Sequence, residues 1–246
     1  MSATSKTAIV TGSSSGIGYG VAREFLDGGW NVVLNGRNEA RLREAAKRLG
    51  RPAQLAMVAG PTFEKTTGES MVRAAQDRFG SVDVLVNNAG EFAGKPFLDV
   101  TEQDLEHYWR VNLKGTYFTT QAAVRAMVDQ GRGGSIVNIT TVLIEHAMSW
   151  ITATAPLITK GAIRALTTLL AAELAPHKIR VNAVAPGFIH TPLMEGANHG
   201  RLAATSVADR VGEPGDISAA VRYLAESTFV TGHVLNVDGG FVTARR

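Results

Sequence analysis

Seven short runs of mostly Val, Ile, Leu and Ala punctuate the chain: TAIVT, NVVLNG, QLAMV, VDVLVNN, GSIVNIT, IRVNAVAP and HVLNV. Segments of helix length separate them, over 16–28, 38–49, 64–79, 101–129, 156–175 and 216–226. Strands that are apolar nearly throughout are buried on both faces, and alternation with helices places them in a parallel sheet covered on each side. The pattern therefore predicts an α/β fold with a doubly wound, seven-stranded parallel sheet. Such sheets bind ligands beyond the carboxyl ends of their strands, where connections leave in opposite directions. The longest stretch without a clear period, 187–216, reads as a lid or a partly helical cover over that edge.

Composition narrows the picture. The chain has 246 residues, 45% hydrophobic and 19% charged, with no Pro/Gly/Ser linker to divide it, so a single domain over 1–246 is expected. The 25 basic residues against 22 acidic are spread along the chain, which argues against nucleic acid as a partner. The absence of cysteine excludes disulfides, thiolate catalysis and sulfur-ligated zinc, and no metal site is expected. The opening MSATSKTAIVTG carries no signal-peptide core, and no apolar run reaches the ~18 residues of a membrane span. A cytoplasmic protein with no membrane partner is the expectation.

Chemistry first appears in TAIVTGSSSGIGYGVAREFL, where Gly12, Gly16 and Gly18 stand between the first strand and the first helix. Glycines there permit a tight turn and close approach of backbone N–H groups to a diphosphate, which the helix N-terminus also favours. A Rossmann-type domain holding a dinucleotide is the reading, although the spacing is G-x-x-x-G-x-G rather than G-x-G-x-x-G.

TGSSSGIG, NNAG at 87–90, VNLKG at 111–115, GSIVNITT at 134–141, IRVNAVAPGFIHTP at 179–192 and VTGHVLNVDGG at 230–240 occur in that order. Together they resemble the short-chain dehydrogenase/reductase family, from about residue 5 to residue 240. The resemblance implies that Gly12, Ser14, Gly16, Ile17 and Gly18 hold the cofactor diphosphate, and that Asn88, Ala89 and Gly90 lie along the adenosine ribose. It also implies that Pro186, Gly187, Ile189 and Thr191 meet the nicotinamide carboxamide.

The end of the second strand, Asn35-Gly36-Arg37, has no carboxylate until Glu39. A carboxylate would accept the ribose 2′-hydroxyl and repel a 2′-phosphate, whereas Arg37 can pair with that phosphate, so NADP is expected over NAD. Ala59 and Gly60 stand where the family places an adenine-contacting Asp.

Members of that family use Tyr-x-x-x-Lys on a helix, a Ser that orients the carbonyl, and an Asn that holds a water in the proton relay. The i, i+4 spacing puts phenol and ammonium on one helix face, where the cation lowers the phenol pKa. Here Lys160 matches the Lys, which also binds the nicotinamide ribose; Thr141 matches the Ser and Asn112 the Asn. Pro156 stands in place of the Tyr. None of Tyr19, Tyr108, Tyr117 and Tyr223 lies three, four or seven positions before Lys160, and residue 153 is Ala, so the wider spacing of the enoyl reductases is also absent. Proline suits a helix's first turn, with Thr154 or Thr152 as the expected cap. His146 and Glu145, in the loop before that helix, are the candidate stand-ins for the missing acid, and Trp150 and Met148 read as pocket wall or subunit contact.

The apolar helix beyond Lys160 points to a homo-oligomer, a dimer or tetramer. Two functions follow from the same residues. One is an NADP(H)-dependent oxidoreductase of small carbonyl or alcohol substrates, or of imines or enones, working with an atypical site. The other is a catalytically silent cofactor-binding protein.

Overall fold

The computed structural model describes residues 5–243; residues 1–4, part of the polar opening, and 244–246 lie outside it. Seven parallel strands form one sheet in the order β3-β2-β1-β4-β5-β6-β7. They are β1 (Thr7–Val10), β2 (Asn31–Gly36), β3 (Leu55–Ala59), β4 (Val84–Asn87), β5 (Gly134–Ile139), β6 (Ile179–Pro186) and β7 (Val234–Val237). The order reverses between β1 and β4, which creates the crevice that such folds use for ligands.

Alternate side chains of each strand enter two separate cores, as the period of two requires. Ala8, Val10, Val32, Leu34, Val84 and Val86 pack with Val21 and Phe25 of α1 (Gly16–Asp27), Leu42 of α2 (Glu39–Leu49) and Ile217 and Val221 of α8 (Pro214–Glu226). Ile9, Val33, Leu85, Ile136 and Val181 face the other way. They meet Met71 and Ala75 of α3 (Lys65–Phe79), Ala123 and Met127 of α5 (Gly115–Gln130) and Ala171 of α6 (Thr154–Glu173). Helices on both faces explain why the strands read as continuous apolar runs.

The single helix expected over 101–129 is instead three pieces in sequence: α4 (Glu102–Tyr108), a π-helical segment (Trp109–Lys114) and α5. Thr101 and Asp104 form a reciprocal capping box at its start. The wider π turn, a feature concentrated at functional sites, carries Asn112.

The segment after β6 is partly helical, with a 3₁₀ turn at Pro192–Met194 and α7 (His199–Ala203) before α8 begins. The hydroxyl cap expected for α6 is not made. Ala153 occupies the N-cap position, Thr154 is already helical, and the carbonyl of Thr152 accepts from the Lys95 N–H at 2.5 Å.

Candidate active site

The glycine turn is fixed by contacts that leave no room for side chains. Gly12 (φ +63°) and Gly16 (φ +56°) occupy left-handed backbone. A Cβ on Gly18 would come within 2.4 Å of both Asn88 Nδ2 and the Gly12 carbonyl. Asn88 is the clamp: its amide donates to the carbonyls of Thr11 (2.9 Å) and Gly12 (3.1 Å), and its N–H donates to Thr11 Oγ1 (3.0 Å). The Asn88 side chain is thus turned into the protein. The ends of β1, β2 and β4 are tied together, since buried Ser13 also accepts from the Asn35 N–H at 3.0 Å. Ser14 and Ile17 are partly exposed, and Ser15 makes no side-chain cap on α1. The first N–H groups of that helix are left for an external acceptor, so this cradle fits a diphosphate.

At the end of β2, Asn35 is buried and its amide donates to the carbonyls of Val58 (3.0 Å) and Gly60 (3.1 Å). Gly60, at φ +145°, has no space for a Cβ beside Thr67. Arg37 extends over the groove and forms an ion pair with Glu91, whose other carboxylate oxygen accepts from His107 Nε2 at 2.8 Å. Partial burial alone would raise the Glu91 pKa, but the hydrogen bond from His107 and the Arg37 charge outweigh it, so the carboxyl sits below its ordinary value. Glu91 was not legible as a site residue, because a single Glu after NNAG has no pattern of its own.

The corner around Lys160 joins three elements. Lys160 Nζ donates to the carbonyl of Ile139, the last residue of β5, at 2.7 Å. Burial of the ammonium lowers its pKa to about 8. A Cβ on Gly90 would stand 3.3 Å from Lys160 Nζ and 3.2 Å from Asn112 Oδ1, so the glycine is what allows these groups to converge. Asn112 is fully buried, with its amide spent on protein partners: Oδ1 accepts from the Glu91 N–H (2.8 Å), and Nδ2 donates to the Glu91 carbonyl (3.1 Å) and to Thr159 Oγ1 (3.0 Å). Thr159 in turn donates to the carbonyl of Pro156 at 2.6 Å. Thr141, just beyond β5, is partly exposed and accepts from the Leu143 N–H at 3.3 Å.

Pro156 is buried in the first turn of α6, where the ring costs no helical hydrogen bond. It borders a cavity of about 120 Å³ shared with Tyr108, Lys95, Asp104 and Ala153. Of the two candidate stand-ins, Glu145 is committed to other partners and His146 contributes its ring to an aromatic contact. Glu145 is ion-paired with Arg164 and accepts from Asn236 Nδ2 at 3.1 Å, and the His146 ring stands edge-on to Phe241 at 5.1 Å.

On the far side, Gly187 lies so close to β7 that a Cβ would meet the Asp238 Cα at 2.8 Å. Ile189 buries its side chain in the core and forms a parallel bridge with Gly212 through its neighbours Phe188 and His190. In that geometry its own N–H and C=O point away from Gly212. Thr191 sits beside the glycine turn, 3.3 Å from where a Gly16 Cβ would be. Trp150 stacks on Phe188 with ring centroids 6.3 Å apart, and the Arg201 guanidinium lies 4.3 Å over Trp150, so these side chains join the 142–155 loop to the cover after β6. Among the described residues no group of His, Cys, Asp and Glu is arranged to hold a metal ion, and no helix is long and apolar enough to cross a membrane.

A family described as enoyl-(acyl carrier protein) reductase matches residues 12–242. The L-rhamnose 1-dehydrogenase (NAD(P)(+)) of Azotobacter vinelandii is 39% identical over 251 residues, covering 96% of each chain. The NADP-dependent (R)-specific alcohol dehydrogenase of Lentilactobacillus kefiri is 35% identical over 244 residues, again covering 96% of each. A solved short-chain type dehydrogenase/reductase from Mycobacterium marinum superposes with a TM-score of 0.93 at 31% identity, over 98% of this chain and 97% of that one. The chain belongs to the short-chain dehydrogenase/reductase family.

Proposed function

We propose that this protein is an NADP(H)-dependent oxidoreductase of small carbonyl or alcohol substrates, or of an imine or enone, that works without a tyrosine at position 156. The observation that carries the reading is the convergence of Lys160, Gly90 and Asn112 on one corner, beside a glycine turn shaped for a diphosphate. The two named relatives are an L-rhamnose dehydrogenase and an alcohol dehydrogenase, which supports an alcohol or carbonyl substrate.

Gly12, Ser14, Gly16, Ile17 and Gly18 would hold the diphosphate, Asn88, Ala89 and Gly90 would run along the ribose, and Arg37 would take a 2′-phosphate. Pro186, Gly187, Ile189 and Thr191 would meet the carboxamide, with the free main chain of Ile189 as the natural contact. The bound cofactor supplies or accepts the hydride. The proton is left to the chain's own groups. Thr141 orients the substrate oxygen through its hydroxyl. The Lys160 ammonium, whose pKa burial lowers to about 8, is a stronger acid than an ordinary lysine and passes its proton directly or through a water to the forming alkoxide. Asn112 acts by position: its amide braces Glu91 and α6, so its role is to hold the corner's shape.

A second reading, a cofactor-binding protein without turnover, is favoured by one observation. Pro156 is buried one turn before Lys160, where the resemblance places a phenol, and Glu145 is tied to Arg164 and Asn236. Consumption of NADPH over a panel of ketones, imines and enones separates the two. Turnover above the protein-free rate supports the first; tight NADPH binding with no turnover supports the second.

A further inference from the structure

We propose that Glu91 is the counter-charge of the dinucleotide groove: its carboxylate holds Arg37 across the glycine turn, and a 2′-phosphate must displace it to bind. The inference rests on the reading of Arg37 as the phosphate receptor.

Topology makes the pair a strap. Arg37 directly follows β2 and Glu91 lies just past β4, while β1 stands between those strands in the sheet. Two strand spacings, roughly 10 Å, therefore separate the two backbones. The ion pair crosses the end of β1, where Thr11 and Gly12 open the glycine turn.

The two partners are not equally free. Glu91 is held at its main chain by both ends of the Asn112 amide and at its second carboxylate oxygen by His107. Among the described residues Arg37 has no such anchor, and its side chain is 62% exposed. Arrival of a second anion thus moves the guanidinium and leaves the carboxylate in place. A 2′-phosphate gains a charge-assisted pair with Arg37 but forfeits the Arg37–Glu91 pair and gains a like charge as neighbour. A 2′-hydroxyl requires no exchange, since a neutral hydroxyl can donate to a carboxylate. Glu91 therefore weakens binding of the 2′-phosphorylated cofactor and narrows its advantage over the unphosphorylated one.

Equilibrium titration calorimetry with NADPH and with NADH tests this without any turnover. The proteins are the wild type, Glu91→Gln, Arg37→Gln and the double variant, each checked by melting temperature. Glu91→Gln keeps the side-chain size and the main-chain bonds to Asn112. It is expected to tighten NADPH binding about twofold to fivefold, the range of an exposed charge pair, and to leave NADH affinity unchanged. In the Arg37→Gln background the same change should move NADPH affinity by less than about twofold. Glu91→Ala should reproduce the sign. If Glu91→Gln leaves NADPH affinity unchanged or weakens it while Arg37→Gln loosens NADPH, the counter-charge role is refuted and the Arg37 assignment stands. If Arg37→Gln does not loosen NADPH, both are refuted.

Discussion

Lys160 reaches from α6 to the carbonyl of Ile139 at the end of β5, a 2.7 Å bond that fixes its ammonium two residues before Thr141. Enclosure there lowers its pKa to about 8. If this ammonium is the acid for carbonyl reduction, the protonated form is the active one. The sign follows directly: kcat/KM for reduction is flat below about pH 8 and falls about tenfold per unit above it, because that parameter reports the free protein's essential groups. A profile flat to pH 10 would contradict the role.

The proposed preference for NADP(H) rests on Arg37, which stands at the end of β2 without a carboxylate on its own strand end. NADP(H) should bind more tightly than NAD(H), and Arg37→Asp should invert the order, since a carboxylate there accepts a ribose hydroxyl and repels a phosphate. Calorimetry that ranks NAD(H) first for the wild type would end the claim.

The outer face of α6 bears on assembly. Its inner face buries Ile163, Thr167 and Ala171, while Ile158 and Leu169 are each 66% exposed. Large apolar side chains on an outer helical face are typical of a subunit contact. Light scattering at micromolar concentration should report a dimer or tetramer, and Leu169→Glu should shift it toward smaller species. A monomeric wild type would refute this.

The glycine turn offers a stability test. With a Cβ on Gly18 placed 2.4 Å from Asn88 Nδ2 and the Gly12 carbonyl, Gly18→Ala must push apart the β1 and β4 ends. Overpacking of this kind costs about 1–3 kcal/mol, and each kcal/mol lowers the melting temperature of a domain this size by roughly 2–4 °C. An unchanged melting temperature would mean that the turn is looser than its contacts indicate.

The sheet, its burial on both faces and the glycine turn were legible because their signals are local: apolar runs, helix-length intervals and glycines at a strand end. The Pro156–Lys160 spacing was legible for the same reason. What escaped depends on side chains meeting across the fold. Nothing near Glu91 announces that it will pair with Arg37, more than fifty residues away. Nor does the sequence around Asn88 say that its amide turns inward to Thr11 and Gly12. The π turn at Asn112 escaped because one widened helical turn barely alters a hydrophobic period. Nothing around Glu145 in the sequence announces its ion pair with Arg164 or its bond from Asn236, nor the contact of the His146 ring with Phe241.

If the site reduces carbonyls without a phenol at position 156, turnover should be slow but measurable. General acid catalysis contributes about 10²–10⁴-fold, so its loss leaves a slow reaction wherever hydride and carbonyl are still aligned. Tyr is tolerated in a helix's first turn, and position 156 lies one turn before Lys160 on the same helix. The deciding measurement is the steady-state rate of NADPH oxidation by the wild type and by Pro156→Tyr on one ketone panel, with cofactor binding verified for both. The account predicts slow turnover by the wild type and at least about a tenfold increase in the variant. An unchanged or lower rate in the variant, with NADPH still bound, would contradict it and favour a silent binder or a substrate of another class.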